Sequence, residues 1–164
     1  MTLVVLSLGS NIEREKNLQF ALDEIGRAYG HMEISPVYET VSVGFSGPSF
    51  LNFVVGINAH DSVEEVQAVI HDIERRAGRV RGEKTFGDRR LDIDILLFGD
   101  ADLRASGKNI PRHEIEKYAF VLKPLADLYP ESKHPVTEQA FHAMWNDFDQ
   151  SSQQLELSDY RFRI

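Results

Sequence analysis

The chain contains no cysteine. That excludes disulfides, thiolate nucleophiles and thiolate metal sites, and it points to a reducing compartment, read here as the cytoplasm. No apolar run reaches the roughly 20 residues of a membrane span. The apolar start, Met1 to Leu8, is short, lacks a basic leader and runs into Asn11-Ile12-Glu13-Arg14, so it reads as a buried first strand and not as a signal peptide. Repeats, low-complexity segments and a domain linker are also missing. The 164 residues therefore read as one domain, 1–164, large enough for a core. Positive charge is scarce as well: 18 Lys and Arg stand against 26 Asp and Glu, for a net charge of -8. What there is gathers in one place. Residues 75 to 90 hold seven basic and two acidic side chains, and the rest of the chain holds eleven basic and twenty-four acidic. An acidic protein with one basic segment is a poor nucleic-acid binder and suits a small polyanion better. A solvated basic loop is the alternative.

The apolar spacing places the elements in order. Leu3 to Leu8 reads as a buried strand. Gly9-Ser10-Asn11 is a turn in which Ser10 or Asn11 is expected to cap a helix carrying Leu18, Ala21, Leu22, Ile25 and Ala28, with Gly30 as its stop. Ile34 to Val43 reads as a second strand, followed by the Gly- and Pro-containing loop 43–49 and a third strand, Phe50 to Ile57. Ser62-Val63-Glu64-Glu65 is a capping box for a second helix with Val66, Val69, Ile70, Ile73 and Ala77 inward, ended by Gly78. Glu74 borders that stripe and either pairs with an arginine or serves a site. The segment Gly78 to Thr85 looks superficially like a phosphate-binding P-loop, but Glu83 holds the second required glycine position and a helix precedes it, so it is rejected. Further on, a short helical run ends at Tyr118, Pro124 is expected to break or kink a helix, Thr137 to cap a last one, and Tyr160 to Ile164 to form a final strand. Strand-helix-strand-strand-helix-strand is the ferredoxin-like order: an α/β (α+β) sandwich with a largely antiparallel sheet flanked by helices.

The most informative stretch is Arg89-Arg90-Leu91-Asp92-Ile93-Asp94-Ile95. Alternate strand residues share a face, so Leu91, Ile93 and Ile95 point one way and Asp92 and Asp94 the other. Two neighbouring carboxylates in an apolar strand repel and are costly to desolvate, and a hard cation between them removes that cost. Mg2+ in a phosphate-handling site is the natural choice, with Arg89 and Arg90 near phosphate oxygens. A half-exposed edge strand with a solvated acidic face is the other reading. In the third strand, Asn52 sits between apolar neighbours and needs partners if buried. Its amide offers a donor and an acceptor to the edge of a heterocycle.

Together these segments resemble the 6-hydroxymethyl-7,8-dihydropterin pyrophosphokinases of folate biosynthesis. The resemblance runs over about residues 3 to 130 through Leu8-Gly9-Ser10-Asn11, Tyr38-Glu39-Thr40, Phe50-Leu51-Asn52, Gly78-Arg79-Val80-Arg81, Arg89 to Asp94, Ile110-Pro111 and Phe120-Val121-Leu122. It implies transfer of pyrophosphate from ATP to the pterin hydroxymethyl group, with release of AMP. It also implies two Mg2+ ions on Asp92 and Asp94, and Arg79 and Arg89 as the arginines that neutralise phosphate charge. Asn52 would read the pterin edge, Phe50 and Phe120 would sandwich the ring, and Thr40 and Val43 would give backbone contacts. Phe86 would close over the ligands, while Glu74, Arg81, Arg112 and His113 would belong to the ATP side. The expected partners are ATP and a reduced pterin, with no nucleic acid or membrane, acting on a monomer.

The chain departs from the family pattern at Asp88, where Pro is usual, at Thr85, where some members are basic, and at Arg112, where His usually follows the proline. His113 stands one position later. These departures motivate a second reading, a paralogue that binds pterin or nucleotide without turnover. A third is a kinase for another small heterocyclic alcohol.

Overall fold

The computed structural model describes residues 1–40, 47–78 and 91–164. The first strand, β1 (Thr2–Ser10), is followed by α1 (Arg14–Tyr29), β2 (Met32–Ile34), β3 (Tyr38–Thr40), β4 (Phe50–Ala59) and α2 (Val63–Arg76). After it come β5 (Asp92–Phe98), the short α3 (Glu114–Lys117), α4 (Ala119–Leu128), α5 (Phe141–Asp147) and β6 (Glu156–Leu157). The strands form one sheet in the order β5-β1-β4-β3-β6, with β2 also on β4, and every described pairing is antiparallel. The ferredoxin-like expectation holds: β4 inserts between β1 and the β2/β3 line, and β5 lies outside β1.

The sheet is covered on both faces, which explains why β1 is apolar at successive positions rather than at alternate ones. Val4, Leu6 and Leu8 join Phe53, Val55, Ile93 and Ile95 under α1 and α2. Val5, Val54, Leu96 and Leu97 face the other way, under α3, α4 and α5. The α2 capping box forms as read: Glu65 N donates to Ser62 Oγ (3.2 Å) and Ser62 N to Glu65 Oε1 (2.9 Å). Gly30 ends α1 with φ of 78°, a left-handed backbone that an L side chain strains.

Five local expectations are corrected. The boundary residue of α1 is Glu13, itself at φ of 41° and with no side-chain capping bond, in place of Ser10 or Asn11. The expected strand from Ile34 is interrupted, because Pro36 has no N–H for the ladder. Ser35 fills the gap, its N donating to Val54 O (3.0 Å) and its Oγ accepting from Val54 N (2.9 Å). Of the break or kink expected at Pro124, the break does not occur: α4 continues to Leu128, and the proline is buried with Leu122, Leu125 and Ala126, a burial that outweighs one lost bond. Thr137 does not cap α5. Its N–H is instead taken by His134 Nδ1 (3.3 Å), and Ala140 bounds the helix. Tyr160 to Ile164 form no strand: Glu156–Leu157 pairs with β3, and Phe162 packs on Phe53 with ring centroids 5.1 Å apart.

Candidate active site

The register of the sheet assembles the site. Asp94 lies opposite Ser7 and Asp92 opposite Gly9. Gly9 also faces Asn52 across the β1–β4 ladder, Asn52 faces Tyr38, and Phe50 faces Thr40. Cross-strand partners share a face, so Asp92, Asp94, Ser7, Gly9, Asn52, Tyr38, Phe50 and Thr40 all stand on one side. The helices α4 and α5 cover that side further along, over Val5, Val54, Leu96 and Leu97. From the carboxylates on β5 to the amide on β4 is two ladder spacings, about 10 Å.

Asp94 is held in an unusual state. Burial pushes its carboxyl up to about 7, with the negative charges of Asp92, Glu74 and Glu114 adding to the effect and Arg112 opposing it. Arg112 only partly offsets its burial and its acidic neighbours. Glu74, 4% exposed, accepts a hydrogen bond from Ile93 N at 2.9 Å. This bond anchors the outer strand of the sheet between its two aspartates, so Glu74 acts on the backbone of β5 from α2.

Asn52, 6% exposed, donates from Nδ2 to Thr40 Oγ1 at 2.9 Å. The carbonyl end of the same amide rests against Gly9, where an added Cβ would stand 2.8 Å from Oδ1. A side chain at residue 9 would therefore force this amide to shift, a constraint of space and not of backbone angle. Tyr38, next along that face, donates its hydroxyl to Asp127 of α4, and Lys123 Nζ holds Asp127 at 2.8 Å. Phe120 lies one turn before Lys123 and stacks on Tyr118, with centroids 5.1 Å apart and planes at 24°. Phe50 is half-buried at the start of β4.

A cavity of about 110 Å³ opens beside Asp94 at the edge of the sheet, between α2 and residues 109–112. Ile93, Ile95, Arg112, Gln67, His71 and Asn109 contribute to its wall. The last three escaped the sequence reading. Gln67 and His71 flank Ile70 on α2 at helical spacing, which was the available signal. Arg112 Nη2 is 3.5 Å from Asp94 Oδ1, whereas His113 is exposed at the start of α3 and does not line the cavity. Arg79, Arg81, Phe86, Arg89 and Val43 lie outside the described residues. Among the described residues no three His, Asp or Glu side chains converge as a cation cage. Two carboxylates on one face of β5 suit a cation that takes one or two carboxylates and completes its shell from water and phosphate, as Mg2+ does.

The profile of the 7,8-dihydro-6-hydroxymethylpterin-pyrophosphokinase (HPPK) family matches residues 5–130. The chain belongs to this family. Among HPPK relatives, the 2-amino-4-hydroxy-6-hydroxymethyldihydropteridine pyrophosphokinase of Pseudomonas aeruginosa is 35% identical over 136 residues, covering 80% of this chain and 83% of its own. The enzyme of the same name from Aquifex aeolicus is 33% identical over 138 residues, covering 83% and 86%. Among solved structures, wild-type Plasmodium falciparum HPPK-DHPS with pteroate superposes with a TM-score of 0.68 at 17% identity, over 89% of this chain and 42% of that one. An HPPK-DHPS in complex with substrates gives 0.72 at 15% identity, over 92% and 46%. The chain spans less than half of these two, and they share its fold. The HPPK match ends at residue 130, so α5, β6 and the C-terminal tail lie beyond it.

Proposed function

We propose that this HPPK-family chain is a pyrophosphokinase of folate biosynthesis, moving the β,γ-pyrophosphoryl group of ATP to the hydroxymethyl oxygen of 6-hydroxymethyl-7,8-dihydropterin. That oxygen attacks the β-phosphorus, the bond from the β-phosphorus to the bridging oxygen of the α-phosphate breaks, AMP leaves, and the hydroxyl proton is lost to solvent. The observation that carries the site assignment is the shared face of Asp92, Asp94 and Asn52. An amide at one end and paired carboxylates about 10 Å away match a bicyclic ring whose arm must reach a metal-bound phosphate.

Asn52, fixed by Thr40 and Gly9, reads the pterin edge, with Val43 adding a backbone contact. Phe50 and Phe120 stack on the ring. The cavity at the β5 edge takes the nucleotide, with Arg112 toward its phosphates; Arg81 and His113 are assigned to the ATP side by the family pattern. Asp92 and Asp94 would hold two Mg2+ ions, which when bound screen phosphate charge and orient the attacking and leaving oxygens. Arg79 and Arg89 neutralise charge on the pyrophosphoryl group, and Phe86 helps exclude water. In this reading Glu74 supports the site by pinning β5. The chain acts as one domain, 1–164, a cytoplasmic monomer without nucleic acid or membrane. The clustering of its basic side chains at 75–90 argues against a nucleic-acid surface, and the absence of cysteine suits a reducing compartment. Among the described residues no helix is long and apolar enough to cross a membrane.

Phosphorus NMR of the protein with ATP, Mg2+ and the reduced hydroxymethylpterin tests the reaction. AMP and a pterin diphosphate signal are expected. ADP, or intact ATP with both ligands bound, overturns it.

A further inference from the structure

We propose that Arg112 is an internal counter-ion for Asp94, holding that carboxylate in the ligand-free protein and so coupling divalent-cation binding to triphosphate binding. This rests on the reading of Asp92 and Asp94 as metal ligands and extends it. The backbone of Arg112 is docked on the outer strand: its N–H donates to Leu96 O at 3.0 Å, two residues beyond Asp94. The side chain therefore starts from a fixed point beside the carboxylate. Its guanidinium stands between two acids. Nη2 is 3.5 Å from Asp94 Oδ1 and Nε is 2.5 Å from Glu114 Oε2. Nε is buried and has no aligned hydrogen bond, so charge holds it there, not directional bonding. The other oxygen of Glu114 accepts from Asn109 Nδ2 at 3.1 Å, which keeps that acid in place behind the arginine.

Two consequences follow from this arrangement. A cation approaching Asp94 meets a guanidinium already there, and the repulsion weakens divalent binding to the empty site. Arg112 and Asp94 also both line the cavity beside β5. A triphosphate entering that cavity offers the guanidinium fork a bidentate partner, better than one contact at 3.5 Å to Asp94. Once Arg112 turns to phosphate, Asp94 loses its counter-ion and favours the metal. Each ligand then raises the affinity of the other by the same factor, as linkage requires. The coupling lies in one side chain with two alternative partners.

The test is Mn2+ binding by electron paramagnetic resonance on the full chain, with and without α,β-methylene ATP, whose bridging carbon resists the transfer. Wild-type protein is expected to bind Mn2+ weakly alone and tightly with the analogue. Arg112→Met is expected to tighten nucleotide-free Mn2+ binding about five- to tenfold and to shrink the enhancement by the analogue by a similar factor. Arg112→Lys keeps the charge and should keep the weak nucleotide-free binding. Glu114→Gln, which leaves Arg112 to Asp94 alone, should weaken it further. A general loss of packing at position 112 would not tighten metal binding. Unchanged or weaker nucleotide-free binding in Arg112→Met, with Asp94→Asn abolishing it, overturns the counter-ion alone. Mn2+ binding that survives Asp94→Asn overturns the metal assignment and the counter-ion together.

Discussion

Asp94 shows how surroundings set the chemistry of a single residue. Its carboxyl is pushed up to about 7, above its value of 3.8 in an unfolded chain. The folded protein therefore binds this proton more tightly than the unfolded one, so stability falls as pH rises from about 4 to 7 and levels off above that. Asp94→Asn, neutral at every pH, is expected to melt higher than wild type at pH 8 without divalent ions and to lose that advantage by pH 4. With the side chain 31% exposed, solvent screening limits the gain to about 1–2 kcal/mol. The same variant should lose Mg2+-dependent stabilisation and turnover. Calorimetric melts at the two pH values check it, and a wild type that melts higher at pH 8 would contradict it.

Gly9 and Asn52 form a second pair to test at this scale. A Cβ at residue 9 must displace the Asn52 carboxamide, whose Oδ1 would be 2.8 Å away. Gly9→Ala and Asn52→Ala should each weaken pterin binding about tenfold or more in titration calorimetry and leave ATP binding nearly unchanged. Because they act on one group, the double variant should cost little more than either single one. Additive losses would separate the two roles. Asn52 was legible in the sequence as a polar residue inside an apolar strand, and Asp92 and Asp94 as alternating carboxylates. The constraint on residue 9 was not, because the atom a side chain there would strike belongs to another strand.

At the scale of elements, β5 carries both aspartates on the outer strand of the described β5-β1-β4-β3-β6 order. Glu74 compensates for that position by taking the N–H of Ile93 from α2. Glu74→Ala leaves that buried N–H without this acceptor and is expected to cost about 1–3 kcal/mol, whereas Glu74→Gln retains an acceptor oxygen and should cost less. Chemical denaturation of the two variants distinguishes them, and equal losses would point to the charge of Glu74 and not to its bond. The sequence reading left Glu74 between an arginine pair and a site role, since helical spacing shows only that it borders the buried stripe. Strand continuity was similarly out of reach where Pro36 and Ser35 rearrange the ladder. The capping box, by contrast, is local chemistry and formed where it was read.

For the whole molecule, the segment beyond residue 130 is the part that lies outside the family match. It is nonetheless tied to the core. Phe162 packs on Phe53, and Gln19 and Arg163 exchange two bonds, Gln19 Nε2 donating to Arg163 O (2.8 Å) and Arg163 N to Gln19 Oε1 (2.9 Å). The tail thus covers the side of the sheet opposite Asp92 and Asp94. Phe162→Ala is expected to cost about 2 kcal/mol, lowering the melting temperature by about 4–8 °C, with kcat within about twofold of wild type. A large loss of kcat at full stability would instead place the tail in the site.

The sequence by itself determined the layout. Alternation in β5 put the carboxylates on one face, helical spacing located α1 and α2, and the order of elements specified the ferredoxin-like sheet, because each of these depends on residues near one another in the chain. The tertiary structure decided which groups meet across distance. It set Asn52 over Gly9, Glu74 against Ile93, Arg112 beside Asp94 and Phe162 on Phe53. Those contacts follow from strand register and helix packing, which place side chains to within an ångström or two, a precision that periodicity along the chain does not carry.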